Sequence, residues 1–225
     1  MKKIVSLILI GVMLFGLATL TGCKNKDNYV YEPDKYPTEL PDSMDGFIYV
    51  EMVIKGHGRI LLGLDPVAAP KTVANFVKLV NEGYYNGLTF HRVVAGFMIQ
   101  GGDPSGEGYG DPNAERIEGE FSANGYYGNY IKHKRGVISM ARSTAYNSAS
   151  TQFFIMLEEN TNLNGQYAAF GYVVKGMNTV DAILLDTIEY ATSSDGVIPN
   201  KKKQAVIKSA YVLENYVYTP ETSEK

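Results

Sequence analysis

Residues 90–103 mix side chains that could do chemistry with side chains that could grip a ligand. The stretch carries a guanidinium (Arg92) and a side-chain amide (Gln100) beside the bulky apolar Phe97 and Met98. A strand that only packs alternates apolar and polar residues, and unpaired polar groups among aromatics are costly. The mixture therefore predicts a binding surface.

This stretch and two later ones resemble the signature segments of the cyclophilins, the peptidyl-prolyl cis/trans isomerases. The matching letters are FHRV and FMIQGGD at 90–93 and 97–103, GVISMAR and QFFI at 136–142 and 152–155, and LNGQYAAFG at 163–171. Three blocks in the same order make a chance match a poor explanation. The resemblance implies an eight-stranded antiparallel closed β-barrel with a helix at each end, and a substrate groove on the outer face.

The resemblance also implies which residues form the site. Arg92, Gln100 and Phe97 match the family's catalytic positions. The residues that match its substrate-binding positions are Met98, Ala141, Arg142, Phe154, Leu163 and Tyr167. The apolar members are expected to hold a proline ring, and the main chain near Ala141 and Arg142 is expected to bind the residues before it.

Arg92 is the group expected to act on the reacting bond. Rotation about an X–Pro bond breaks amide resonance against a barrier of roughly 18–20 kcal/mol. A fixed N–H donor aimed at the prolyl nitrogen would favour the twisted amide, and a guanidinium offers a permanently charged planar fork that lysine lacks. Gln100 is expected to orient Arg92 or to bond the substrate backbone.

Two positions depart from the family's pattern. Asn162 stands where many members have tryptophan, so cyclosporin binding is expected to be weak. Tyr167 stands where many members have histidine, although its ring can still flank a proline. These departures leave a second hypothesis open, in which the domain binds proline-containing segments, or acts as a chaperone, without turning them over.

Other polar residues are interpreted as structural. The reaction needs no net proton transfer, so His91 and His133 are not expected to be bases. Three histidines and one cysteine show no metal-ligand spacing, so neither a metal nor another cofactor is expected. Gly106, Gly108 and Gly110 lack the strand-then-helix context of a phosphate-binding loop.

Composition indicates one globular domain with an extension. A chain of 225 residues that is 45% hydrophobic can bury a substantial core. Its net charge is -3, and the basic run at 201–203 lacks interleaved aromatic residues, so nucleic acid is not an expected partner. Proline-containing polypeptides are the expected partners, and a monomer is the expected state.

The N-terminus predicts export and anchoring. Two lysines and an uncharged apolar run make residues 1–22 a signal peptide. Cys23, the single cysteine, ends the sequence Leu-Thr-Gly-Cys, which resembles the bacterial lipobox, where the thiol is acylated. The prediction is an extracytoplasmic domain anchored to the bacterial cell membrane by lipid on Cys23. An uncleaved membrane-spanning anchor is the alternative.

The remainder divides into three parts. Residues 23–45 hold the lipidated cysteine and a proline-rich, charged stretch that is interpreted as an extended tether, although its three tyrosines leave a docking role open. Residues 46–218 are predicted to form the isomerase domain, and residues 219–225 a disordered tail.

Hydrophobic periodicity predicts the elements of this domain. Ile48 and Val50 alternate with Tyr49 and Glu51, which predicts a half-buried strand with the latter pair off the core. Further strands are predicted at 59–64, 88–94, 97–100, 137–141, 153–157, 168–174 and 205–213.

Two helices are predicted beside these strands. Pro70 opens the first, apolar residues follow at spacings of three and four, and Gly83 closes it. Asn178 is predicted to be the N-cap of the second. Many short strands with two helices indicate a sandwich or a closed barrel, and the resemblance selects the barrel.

Overall fold

The computed structural model describes residues 31–192 and 195–218. The predicted signal peptide, Cys23 and the predicted tail at 219–225 lie outside these ranges. The described strands are β1 (Ile48–Ile54), β2 (Gly58–Leu64), β3 (Thr89–Val94), β4 (Met98–Asp103), β5 (Val137–Met140), β6 (Phe153–Met156), β7 (Ala169–Lys175) and β8 (Ala205–Val212). Two helices accompany them, α1 (Pro70–Asn81) and α2 (Met177–Thr187).

The eight described strands close into an antiparallel barrel in the order β1-β2-β7-β5-β6-β4-β3-β8. This confirms the predicted fold class. Every predicted strand is present, and no end is shifted by more than three residues. Such shifts are expected because the period of a pattern identifies an element better than its ends.

Apolar side chains fill the inside of the barrel. Val50, Met52 and Ile54 alternate inward along β1, and all are buried. Aromatic rings complete this core, with Phe76 of α1 packed 5.6 Å from Phe153 and 5.0 Å from Phe170 between ring centroids. Because the interior is packed, any ligand site must lie on the outer surface.

The two helices lie at opposite ends of the barrel, because they follow β2 and β7, which run antiparallel as neighbours. Pro70 stands at the first position of α1, where a missing N–H costs nothing, and the helix ends before Gly83, whose φ is +70°. Both predicted helices are confirmed. Among the described residues, neither helix is long and apolar enough to cross a membrane.

The prediction that Asn178 is the N-cap of α2 is wrong. The N-cap position belongs to Gly176, whose φ is +95°, and a Cβ there would lie 2.2 Å from the carbonyl oxygen of Arg59. No residue with a capping side chain fits that space. The carboxylate of Asp34 caps the helix instead, accepting from the N–H groups of Gly176 (3.0 Å) and Asn178 (2.8 Å).

The interpretation of the N-terminal stretch as an extended, free tether is wrong for residues 31–45, here called the strap. The Tyr31 hydroxyl donates to Glu51 (2.7 Å), and the guanidinium of Arg135 donates to the carbonyl of Tyr36 (3.0 Å). Leu40 and Met44 pack onto the outer faces of β1, β2 and β7. The strap therefore belongs to the folded domain.

The strap also corrects the prediction that one face of β1 is solvent-exposed. Tyr49 is 4% exposed and Glu51 is fully buried. Glu51 pairs with Arg59 at 2.6 Å and accepts from the hydroxyls of Tyr31 and Tyr211, which satisfies a carboxylate that would be costly to bury alone. A strand half-buried by the barrel alone becomes buried on both faces once the strap and the C-terminal residues Leu213, Tyr216 and Tyr218 cover it.

Candidate active site

A one-residue bulge in β3 brings Arg92 to the outer face of the barrel. Phe90 pairs with Gly101 and Arg92 pairs with the next residue, Gln100, so His91 is the extra residue. Without the bulge, Arg92 would share the inward face with Phe90, since side chains alternate along a strand. The bulge therefore places the Arg92 guanidinium beside the side-chain amide of Gln100.

Two hydrogen bonds fix the Arg92 guanidinium. Its Nε donates to the backbone carbonyl of Asp195 (2.6 Å), and its Nη1 donates to Oε1 of Gln100 (3.0 Å). Within residues 31–192 and 195–218, no group accepts a hydrogen bond from Nη2. Burial lowers the pKa of Arg92, while Asp195 and Tyr167 act to raise it. The group stays a cation at neutral pH and keeps donors for a ligand.

A directional chain of amides supports Gln100. Its Nε2 donates to Oε1 of Gln152 (2.8 Å), and Nε2 of Gln152 donates to the carbonyl of Gly108 (3.2 Å). A carbonyl can only accept, so it sets which end of the Gln152 amide faces it. The same logic then turns the Gln100 carbonyl oxygen toward Arg92.

The Asp103 carboxylate holds the loop that carries Gly108. It accepts from the Ser105 hydroxyl and from the N–H groups of Glu107 (3.0 Å), Gly108 (2.7 Å) and Gly110 (3.0 Å). Burial acts to raise the pKa of Asp103, but these hydrogen bonds lower it overall. Gly106, Gly108 and Gly110 all have positive φ; the N–H groups of Gly108 and Gly110 donate to this carboxylate, and that of Gly106 donates to the backbone carbonyl of Asp103 (3.1 Å). The protein's own carboxylate thus occupies the donors that a phosphate would need.

Beside Arg92, apolar side chains cluster on the outer faces of β4, β5 and β6, where the resemblance implies a substrate groove; this cluster is called the groove below. Met98 (1% exposed) and Phe154 (5% exposed) form its floor. The partly buried side chains around them are Phe97, Ala141, Leu163 and Tyr167. The Tyr167 ring stands edge-on to Phe154, with 5.8 Å between centroids. The groove offers an apolar floor and a partly open rim.

His133 supports the floor from below. Its ring stacks on Phe154 at 6.0 Å, its Nδ1 donates to the Asn164 side-chain oxygen (3.2 Å), and its Nε2 accepts from the Ser139 hydroxyl (3.0 Å). Burial lowers the pKa of His133 to about 4. The ring is therefore neutral at pH 7 and its two nitrogens are occupied.

The second buried histidine, His91, is the bulge residue itself. His91 is 1% exposed, and within the described residues neither ring nitrogen has a hydrogen-bond partner. Burial lowers its pKa, against the opposing effect of Asp103. Neither histidine is placed to exchange protons with a ligand in the groove.

Arg142 is held by the loops around the groove. Its Nε and Nη2 donate to the carbonyl of Gln166 (3.1 and 2.9 Å), and its guanidinium lies 4.5 Å from the centroid of the Tyr167 ring. Its side chain therefore braces Tyr167. The N–H of Ala141 pairs with the carbonyl of Gln152 (3.0 Å).

A polar cavity of about 230 Å³ adjoins the groove. Gln100, Gln152 and Arg142 form the side nearest the groove, and Ser148 and Ser150 line it further out. The arrangement could hold an extended peptide, with an apolar ring in the groove and the preceding residues at the cavity.

Two members of this arrangement were missed by the sequence reasoning. Gln152 lies within a matching segment but has no predicted role, although it stands two residues before Phe154 and so shares its face. That spacing is a usable signal. The carbonyl of Asp195 has no sequence signal, because a backbone group carries no residue type.

The fold is a closed antiparallel barrel, and the site sets an arginine and an amide beside an external apolar groove. Similarity to known proteins indicates the same class of protein. The family model described as cyclophilin type peptidyl-prolyl cis-trans isomerase/CLD matches residues 49–212. The chain belongs to this family, which places it in the isomerase class.

Relatives with similar sequences carry the same activity in their names. Peptidyl-prolyl cis-trans isomerase A of Dickeya dadantii is 40% identical over 163 residues, which cover 70% of this chain and 80% of that protein. Peptidyl-prolyl cis-trans isomerase B of Bacillus subtilis is 44% identical over 126 residues, covering 56% and 82%. A Brucella suis relative named "Probable peptidyl-prolyl cis-trans isomerase" is 44% identical, and the match spans 66% of its length.

Solved structures agree on the fold. A cyclophilin type peptidyl-prolyl cis-trans isomerase of Cryptosporidium parvum has a TM-score of 0.61 and 27% identity, and the match covers 77% of this chain and 99% of that one. A second structure of that protein, determined in the presence of the dipeptide Ala-Pro, has a TM-score of 0.59 and 31% identity, with coverage of 74% and 99%.

Proposed function

We propose that this isomerase turns over X–Pro bonds by donating a hydrogen bond from Arg92 to the prolyl nitrogen while the groove grips the proline ring. The observation that carries the proposal is the partly buried guanidinium of Arg92. Hydrogen bonds fix its Nε and Nη1, and its Nη2 has no acceptor among the described residues. A donor that is already oriented gains most when the nitrogen lone pair appears, which happens in the twisted amide.

The groove supplies the second half of the proposed mechanism. A proline ring has no N–H to satisfy, so an apolar floor of Met98 and Phe154 can desolvate it at no polar cost. The polar cavity beside Gln152 would take the residue before the proline. Holding both sides of the bond lets the peptide unit rotate while its flanks stay fixed.

The expected size of the arginine effect follows from the hydrogen bond. A charge-assisted hydrogen bond contributes about 1.5–3 kcal/mol, which corresponds to roughly tenfold to somewhat over a hundredfold in rate. No covalent bond to the substrate forms in this scheme and no proton is transferred. The rest of the acceleration must come from orientation and desolvation.

The test is the exchange rate of an X–Pro peptide, measured by NMR with the chain from Lys24 onward. Arg92→Ala should slow catalysed exchange by about ten- to a hundredfold, and Arg92→Lys should recover little, because lysine lacks the planar fork. Lys208→Ala, on the exposed side of β8, is the control and should exchange at the parent rate. Equal rates for Arg92→Ala and the parent would exclude the mechanism.

The same NMR samples distinguish catalysis from the alternative, in which the domain binds proline-containing peptides without turning them over. The departures at Asn162 and Tyr167 favour it, because they alter the rim of the groove. It predicts saturable shifts in the peptide spectrum with no gain in exchange rate.

We further propose that the protein is an exported lipoprotein that acts on other exported chains. The support is the sequence, namely a signal-like run followed by the single cysteine, Cys23. X–Pro isomerisation takes about 10–100 s unaided, slow enough to limit the folding of an exported chain. Mass spectrometry of the mature N-terminus tests this, since a free thiol at Cys23 or an uncleaved leader would contradict it.

A further inference from the structure

The strap begins on the side of the barrel opposite the groove. The Tyr31 hydroxyl donates to Glu51 of β1, which pairs with Arg59 of β2. In the closed order of eight strands, β1 lies four positions from β6 and β2 lies four positions from β4. Strands β4 and β6 carry the groove floor, so the chain reaches the domain across the barrel from its substrate site.

Reciprocal hydrogen bonds fasten the strap there. Asp34 caps α2, and the Asn178 side chain answers by accepting from the Lys35 N–H (2.9 Å) and donating to the carbonyl of Pro33 (2.8 Å). The buried Glu51 takes the Tyr31 hydroxyl on the adjoining face. These attachments, all within residues 31–35, fix where the chain leaves the barrel.

The docked strap shortens the tether from the membrane. Eight residue steps separate Cys23 from Tyr31, and they reach about 26–29 Å when fully extended. A free tether as far as Gly46 would have reached about 80 Å. A domain of roughly 190 residues is about 42 Å across. The remaining tether is therefore shorter than the domain it holds.

The tether length and the domain width together limit how closely the groove can approach the lipid surface. With the β1–β2 side held within about 28 Å of the lipid surface, the opposite side of a body about 42 Å across stays at least about 14 Å above it. We infer that the strap keeps the groove of the anchored isomerase at least about 14 Å from the lipid surface. It would serve proline segments presented from the aqueous side and exclude those lying on the bilayer. This inference rests on the proposed function and the proposed anchor.

The experiment couples the mature chain to vesicles through its single thiol. The chain from Cys23 is attached to a maleimide lipid, which reproduces the anchor whether or not the native acylation occurs. Two X–Pro peptides of the same sequence are compared by NMR exchange, one free and one joined to a lipid headgroup by about two residues, or about 7 Å. We expect the anchored protein to turn over the lipid-linked peptide more than about tenfold more slowly than the free one, because a tether that cannot span the distance gives almost no encounters.

A tether variant provides the matched control. About 24 Gly and Ser residues inserted between Asn25 and Lys26 lengthen the reach beyond the width of the domain without touching the strap. This variant should turn over both peptides at similar rates. Equal turnover of both peptides by the parent would overturn the inferred distance between the groove and the lipid surface. Failure of the parent on the free peptide would instead overturn the isomerase function on which the inference depends.

Discussion

At the scale of single residues, the candidate site depends on orientation more than on composition. An arginine beside a glutamine is common on protein surfaces, yet here each polar end is assigned by its neighbour, from the Gly108 carbonyl through Gln152 and Gln100 to Arg92. The bulge at His91 places the guanidinium on the outer face, where it can bond to the last amide of this hydrogen-bond chain. Catalytic power in such a site comes from donors that need no rearrangement.

Replacing Gln152 tests the amide chain. Gln152→Leu removes the acceptor for the Gln100 Nε2, and a neutral hydrogen bond of about 1 kcal/mol predicts an exchange rate about fivefold lower. The control is Lys208→Ala, on the exposed side of β8, which should exchange at the parent rate. An unchanged exchange rate in Gln152→Leu would show that Arg92 is positioned without the chain.

His133 predicts a dependence of stability on pH. Burial holds its pKa at about 4 in the folded protein, whereas the unfolded chain has the ordinary value of 6.5. Between these values the unfolded state binds more protons, so the stability present above about pH 6.5 is lost as the pH falls toward 4. From pH 7 to pH 5 this group should cost about 2 kcal/mol of the free energy of unfolding.

Urea denaturation at the two pH values measures this loss. His133→Gln keeps a donor and an acceptor for Asn164 and Ser139 but does not titrate, so its pH dependence should be smaller by that amount. His91 is present in both proteins and its contribution cancels in the comparison. Identical pH dependence in parent and variant would mean that His133 is protonated with little penalty in the folded protein.

Residue identities were largely readable from the sequence, and their connections were not. Arg92, Gln100, Met98 and Phe154 come together on one face as the resemblance implied, although their assigned roles remain predictions. The main chain near Ala141 and Arg142 was expected to bind the residues before proline, and that role stays a prediction, whereas the Arg142 side chain, for which no role was predicted, braces Tyr167. Contacts to backbone carbonyls, such as that of Asp195, depend on loop conformation and leave no mark in residue type.

At the scale of elements, α2 depends on a partner far away in the sequence. A two-residue period predicts a strand and a spacing of three and four predicts a helix, so both kinds of element were predictable. The cap was not, because Asp34 lies 142 residues before Gly176. Local pattern contains no information about a contact of that separation.

Replacing Asp34 tests this long-range cap. Asp34→Ala should lower the free energy of unfolding by about 0.5–2 kcal/mol, since it leaves the first N–H groups of α2 without an acceptor. Asp42→Ala, an exposed strap carboxylate with no hydrogen bond through its side chain among the described residues, is the matched control and should change little. Equal denaturation midpoints for the two variants would contradict the capping role.

At the scale of the whole molecule, one face of the barrel carries the candidate site, and the opposite face is covered by the strap and by residues 213–218. The apolar groove lies on β4, β5 and β6, and the strap covers Tyr49 and Leu61 on β1 and β2. The barrel itself was predictable from its pattern and the resemblance. The closure was not, because a charged, proline-rich stretch has no periodicity to mark it as part of a fold.

Removing the strap should therefore destabilise the barrel. A chain that begins at Gly46 loses the α2 cap and the burial of Leu40 and Met44, which together predict a loss of at least about 3 kcal/mol relative to the chain from Lys24. Urea denaturation of the two chains measures the difference. Equal free energies of unfolding would show that residues 31–45 only rest on the surface.

The steric limit at Gly176 also affects the order of assembly. Synthesis proceeds from the N-terminus, so Asp34 is made 142 residues before the helix that it caps. Until that helix exists, Asp34 has no N–H groups to accept from, although Glu51 and Arg135 are already made and can bind Tyr31 and Tyr36. The Asp34 contact therefore forms only after α2 has been made, and an unfinished or misfolded barrel would leave this part of the strap accessible to proteases.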